Sequence, residues 1–136
     1  MLSTETRDFL THLIGQPPID EALWLEALTH GSTGQPRNYE RLEFLGDRVL
    51  GLVIAEWLHE LGTGDEGKLS LRLNALVSRS MCAGIARAIG LGPHIQLGKQ
   101  ARDDGARDSD NILGDVMEAL IGACFVTHGF DAAREL

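Results

Sequence analysis

The stretch that most narrows the fold is residues 38–58, NYERLEFLGDRVLGLVIAEWL. Its apolar residues recur every three to four positions, the spacing of one helical face rather than the alternation of a strand. Leu42, Leu45, Val49, Leu52 and Val53 are expected on the side that packs against the rest of the chain. At about 100° per residue, Glu40, Glu43 and Asp47 fall within a sector of roughly 60° on the other side and form a single acidic stripe. Phe44, Leu50 and Ile54 lie nearer that stripe, so a second apolar partner is implied, another subunit being one candidate.

The remaining chain reads as helices punctuated by turns. Residues 5–13 make a short amphipathic helix that GQPP at 15–18 breaks, and Asp20 is placed to cap a helix through Leu28. GSTGQPR at 31–37 is a turn-rich loop, and the long helix, from about Asn38 to Glu60, ends in LGTGDEG. A helix follows over about Lys68–Leu76; Ser78 caps another through Ile89, with Gly90 as its stop. GKQARDDGARDSD, residues 98–110, reads as a mobile polar loop. NILGDVMEALIGACFVTHG at 111–129 is the last strong helix, with Asn111 or Asp110 as its N-cap, and DAAREL opens one more that stops abruptly, as in a domain cut from a longer protein. Five or six substantial helices with short connections predict an all-α bundle.

At 136 residues, 43% of them hydrophobic, the chain fits one domain able to bury a core without disulfides or structural metal. Cys82 and Cys124 show neither CxxC spacing nor a Cys/His cluster and read as buried free thiols. With no signal-like start and no stretch of membrane-spanning length, a cytoplasmic location is expected. Twenty acids against twelve bases give a net charge of −8, which by itself argues against a nucleic-acid partner.

Acids inside helices carry the chemistry. For an arbitrary helix, a stripe such as Glu40, Glu43 and Asp47 is a solvated face. Asp115 and Glu118 weaken that reading, because their i, i+3 pair sits in ILGDVMEALIGACF among residues that are almost all apolar. Carboxylates buried without partners cost several kcal/mol or take up protons, so something positive should meet them. Acid pairs on two facing helices are how a bundle holds hard divalent cations, and an oxygen-only ligand set favours magnesium or manganese over zinc. Such a site suits hydrolysis of a phosphate ester. No P-loop or nucleophile motif competes with it.

ERLEFLGD at 40–47 resembles the signature of the ribonuclease III family. ALTHGS at 27–32, DEGKLS at 65–70 and ILGDVMEALIGA at 112–123 resemble further segments of that family in the same order, so the likeness covers nearly the whole chain. The resemblance implies an all-helical, homodimeric endonuclease domain over residues 1–136. It also implies magnesium-dependent cleavage of double-stranded RNA, with manganese as a substitute, giving 5′-phosphate and 3′-hydroxyl ends, in tasks such as ribosomal RNA maturation. Carried over by position, Glu43, Asp47, Asp115 and Glu118 would bind the metal, with Asp47 and Glu118 foremost in catalysis. Glu40 and Glu66 would organise the site or contact RNA, and Phe44 would insert into the partner subunit. Gly31 departs from the arginine common in the family. The usual C-terminal double-stranded RNA-binding domain does not lie within these residues, which reconciles the acidic charge with an RNA substrate and predicts weak RNA binding by this chain alone.

Two other readings remain: a catalytically silent helical relative that binds RNA or a structural partner, and a metal-dependent phosphohydrolase or prenyl-diphosphate enzyme acting on a small molecule. Other residues have plainer readings. His30 is more readily structural than catalytic. Lys99, Arg102 and Arg107 share their loop with four aspartates, and Trp24 and Trp57 suit a core or an interface. Arg79 and Arg87 fit either a surface or RNA.

Overall fold

A computed structural model describes residues 2–62 and 64–135. Every named element among them is helical: α1 (Thr4–Ile14), α2 (Glu21–Ala27), α3 (Glu40–Leu61), α4 (Glu66–Leu76), α5 (Arg79–Ala88), α6 (Lys99–Asp103), α7 (Asp110–His128) and α8 (Phe130–Glu135). Short 3₁₀ turns occupy Gly31–Thr33, Gly92–His94 and Ala106–Asp108. The expected all-α class holds, and none of the described helices is long and apolar enough to cross a membrane.

Local chemistry explains most boundaries. The Asp20 side chain accepts from the Leu23 amide and Ser78 from Met81, so both expected caps are in place. Three expectations need correction. The Asp65 carboxylate accepts from the Lys68 amide and starts α4 at Glu66, two residues earlier than the apolar pattern implied. Ser109, not Asp110 or Asn111, caps α7 by accepting from Ile112, which leaves Asp110 in the first turn where the helix dipole favours a negative charge. Residues 98–110 hold α6 and a 3₁₀ turn rather than an unstructured loop, because Ala101 and Ala106 pack against the core behind the polar side chains.

The core is built around α7, in which ten of nineteen residues are buried. Trp24, Leu28, Leu91, Ile95, Leu113 and Leu120 are among its largest fully buried side chains. Trp24 satisfies its ring N–H by donating to the Ile19 carbonyl at 3.0 Å. Cys82 and Cys124 are buried free thiols, and burial pushes both up to about 11.

The decisive packing event is the crossing of α3 and α7. A Cβ added to Gly46 would lie 1.7 Å from the Glu118 carbonyl oxygen, and one added to Gly122 would lie 2.3 Å from that of Leu42. Only glycine at both positions lets the two backbones approach this closely. Leu42 and Val49 are buried at this crossing, while Leu45 and Val53 pack partly buried against the core. Leu52 is instead 58% exposed; it lies about 80° around the helix from Leu42, off the line that α7 covers. Leu50 packs partly buried against the core, and Leu50 and Ile54 line an apolar groove of about 240 Å³ with Met81, Ile85, Met117 and Ile121, of which Met81 and Ile85 are exposed.

Candidate active site

The first turn of α3 is pinned before the acids begin. The Tyr39 amide donates to the Thr29 carbonyl at 2.9 Å, and the Glu40 amide donates to Asn38 Oδ1 at 3.0 Å. His30 accepts from the Ser32 amide through Nδ1 and stacks on the Tyr39 ring with centroids 5.5 Å apart. His30 is thus a structural residue that ties the preceding loop to the helix. The Thr29–Gln96 bridge ties the same loop to the segment after α5.

From that turn, the glycine crossing sets the acids of α3 against those of α7. Glu43, Asp115 and Glu118 each offer a carboxylate oxygen, and the three oxygens lie within 4.8 Å of one another. All three residues are partly buried. Asp47, one turn along α3, lies against Glu118 and contributes to that residue's perturbation through both contact and charge. It also forms a long ion pair with the exposed Arg48 at 3.8 Å.

Packing acids this closely has an electrostatic cost. Burial, then the charge and contact of Asp115, push Glu43 up to about 7. Burial, then the contact and charge of Asp47, push Glu118 up to about 8. Tyr39 is driven up to about 12, first by burial and then by the charges of Asp115, Glu43 and Glu40. Two of these four acids therefore hold protons near neutrality unless another cation takes the protons' place.

The sequence-derived candidates divide. Glu43, Asp115 and Glu118 share one cluster and Asp47 adjoins it; Glu40 is exposed at the start of α3 and touches the cluster through its charge on Glu43. Glu66 is an exposed residue in the first turn of α4, outside the three-acid group. Phe44 is 66% exposed on α3, with the Arg48 guanidinium 5.4 Å from its ring centroid. Tyr39, just ahead of the stripe and not singled out by the sequence, stands among the acids, and Arg79, which the sequence left between a surface and RNA, reaches Asp115 Oδ1 at 3.6 Å. The signal for Arg79 was only its place directly after a capping serine. Arg87 pairs with Asp110 and also donates to the Asp108 carbonyl at 2.7 Å. Arg107 is partly buried and donates to the Ile95 carbonyl at 3.2 Å.

The donor set fits a hard divalent cation. It is all oxygen, drawn from two helices held rigidly by their crossing, and Asp115 Oδ1 is buried without a hydrogen-bond partner. A buried carboxylate oxygen left in that condition favours a positive ligand.

Known proteins resemble this chain along most of its length. Residues 20–136 match the family described as Ribonuclease-III-like. Ribonuclease 3 of Zymomonas mobilis is 61% identical over 124 residues, covering 90% of this chain and 50% of that protein. Ribonuclease 3 of Rhodobacter capsulatus is 50% identical over 116 residues, covering 82% and 50%. The chain spans about half the length of these curated relatives. The nuclease domain of Campylobacter jejuni ribonuclease III, described as having structural flexibility in a region involved in dimer formation, superimposes with a TM-score of 0.88. It is 38% identical, and the match covers 93% of this chain and 89% of that one.

Proposed function

The chain belongs to the ribonuclease-III-like family, and from that premise we propose that residues 1–136 act as an endonuclease domain hydrolysing phosphodiester bonds in double-stranded RNA. The products are 5′-phosphate and 3′-hydroxyl ends, and the setting is RNA processing such as ribosomal RNA maturation in the cytoplasm. The observation that carries this reading is the convergence of Glu43, Asp115 and Glu118, with Asp47 alongside, around the unsatisfied Asp115 Oδ1.

In this reading Glu43, Asp115 and Glu118 hold magnesium, or manganese in its place, and Asp47 supports Glu118. When bound, the metal supplies charge neutralisation at a phosphoryl oxygen and an activated water. The chain's own contribution is to fix the ligands. The α3–α7 crossing sets their spacing, the Tyr39–Thr29 hydrogen bond anchors the first turn, and partial burial strengthens every charge interaction in the cluster. Burial and the neighbouring acids favour the protonated forms of Glu43 and Glu118, and a bound divalent cation would compete with those protons. Glu40 and Glu66 serve as outer acids that organise the site or contact RNA.

A homodimer completes the arrangement. Phe44 is the anchor offered to the second copy, and two acid clusters, one per subunit, address the two strands of a duplex. RNA binding by this chain alone is weak, because its net charge is −8.

The test is incubation of the chain with double-stranded and single-stranded RNA, with and without magnesium. Cleavage confined to the duplex with magnesium is expected. Equal cutting of both RNAs, or duplex cutting in excess chelator, overturns the assignment.

A further inference from the structure

Arg79 opens α5, directly after its Ser78 cap. Its backbone and stem rest on Gly114 of α7, where an added Cβ would come 3.1 Å from Arg79 Cγ and 3.2 Å from its carbonyl oxygen. Glycine at this point lets the arginine lie across α7 beside the acids. The guanidinium then stands 3.6 Å from Asp115 Oδ1 and 3.5 Å from Asn111 Oδ1.

Both contacts are long. At 3.6 Å the Asp115 pairing is electrostatic rather than a hydrogen bond, and Oδ1 stays unsatisfied despite its burial. The arginine side chain is 57% exposed and that of Asp115 only 15%. The carboxylate is largely covered while the guanidinium is held by long contacts and reaches water. The charge of Arg79 extends to Glu43 and Tyr39 as well, so it acts on the cluster and not on Asp115 alone. A divalent cation seated on Glu43, Asp115 and Glu118 would meet a like charge a few ångströms away.

We propose that Arg79 is a positioning residue, the counter-ion of Asp115 in the metal-free protein, which yields that carboxylate to the divalent cation and so weakens metal binding. The inference rests on the reading that the acid cluster holds such a cation. Arg79 keeps the Asp115 side chain aimed into the cluster before metal arrives, and its displacement raises the metal concentration at which the site fills. The exchange needs no backbone movement, since the guanidinium lies at the end of a flexible stem.

The experiment is calorimetric titration of the whole chain with magnesium chloride, using wild type, Arg79→Gln, Arg79→Lys and Glu118→Ala. Arg79→Gln is expected to bind magnesium about 3- to 10-fold more tightly than wild type, the size left to a partly screened like charge. Arg79→Lys, which keeps the charge, should stay close to wild type. Thermal unfolding supplies the second readout: Arg79→Gln should melt a few degrees below wild type without metal and together with it in saturating magnesium. Unchanged or weaker magnesium binding by Arg79→Gln, with circular dichroism unaltered, overturns the role of Arg79 and leaves the metal site standing. Identical heats from wild type and Glu118→Ala overturn the metal site, and with it this inference.

Discussion

The two sides of α3 are finished to different degrees. Where it crosses α7, Gly46 and Gly122 leave no room for even a methyl group, and the acids that meet there are locked in place. On its outward side, Phe44 and Leu52 are exposed, and α4 beyond it has no buried residue, with Leu71 72% exposed. The first side is complete within one chain and, as proposed above, carries the chemistry. The second displays more large apolar surface than a finished monomer face needs. One helix thus serves two partners, its own α7 and, in our reading, a second copy.

The crossing is the more brittle of the two sides. Gly46→Ala places a Cβ within 1.7 Å of a backbone carbonyl that cannot rotate away, so α3 and α7 must separate. We expect a loss of at least ~3 kcal/mol, the upper end for overpacking, together with loss of activity. Denaturant unfolding would check it. A variant of wild-type stability would show that the helices do not cross this closely.

Glu118→Ala separates chemistry from packing at the same crossing. If Glu118 holds the metal as proposed, its loss should cost several kcal/mol of transition-state stabilisation, ~10³-fold in rate, with the fold intact. Gel assays of duplex cleavage in magnesium check the rate. Normal cleavage by this variant would remove Glu118 from the site.

The same acids make a pH prediction. Glu43 and Glu118 are raised from an ordinary value of 4.5 to about 7 and about 8, so between pH 4.5 and 8 the folded state binds more protons than the unfolded one. Stability must then fall as pH rises through that window: the contribution is fully present below pH 4.5 and lost above about 8. Metal-free protein is expected to melt several degrees lower at pH 8 than at pH 5.5. Magnesium at pH 8 should recover the difference, since the cation replaces the protons. Melting curves that are flat with pH in chelator would mean the acids are better solvated than their packing indicates.

Legibility from sequence follows the same division. Period and caps were enough for the helices, because Asp20 and Ser78 act locally and the apolar spacing of α3 is unambiguous. The i, i+4 spacing of Glu43 and Asp47 and the i, i+3 spacing of Asp115 and Glu118 were enough to set each pair on one face. Nothing in a one-dimensional pattern says that two glycines seventy-odd positions apart will touch, so the crossing that joins the pairs was invisible. Arg79 was unreadable for the same reason, its partner being thirty-six residues away. The Leu52 error came from treating a helix face as uniformly covered, when α7 covers one line of α3 and no more. Residues 98–110 misled by composition, because two alanines were enough to anchor α6 and the turn after it.

The outward side of α3 gives the smallest and most selective effect. Phe44 makes no demand on the core: it is 66% exposed, and its neighbour Arg48 covers part of the ring from solvent. Phe44→Ala should therefore leave the monomer's unfolding within ~0.5 kcal/mol of wild type. If a second copy receives the ring, the same change removes a buried aromatic anchor from the interface, typically worth 2 kcal/mol or more, or about 30-fold in dimer dissociation. Analytical ultracentrifugation across a dilution series reads that shift directly. An unchanged sedimentation profile would place the dimer contact elsewhere on the outward side, with Leu52 and Leu71 next to be tested. A variant that loses stability as a monomer would instead show that the ring packs within its own chain, and the two sides of α3 would no longer differ in kind.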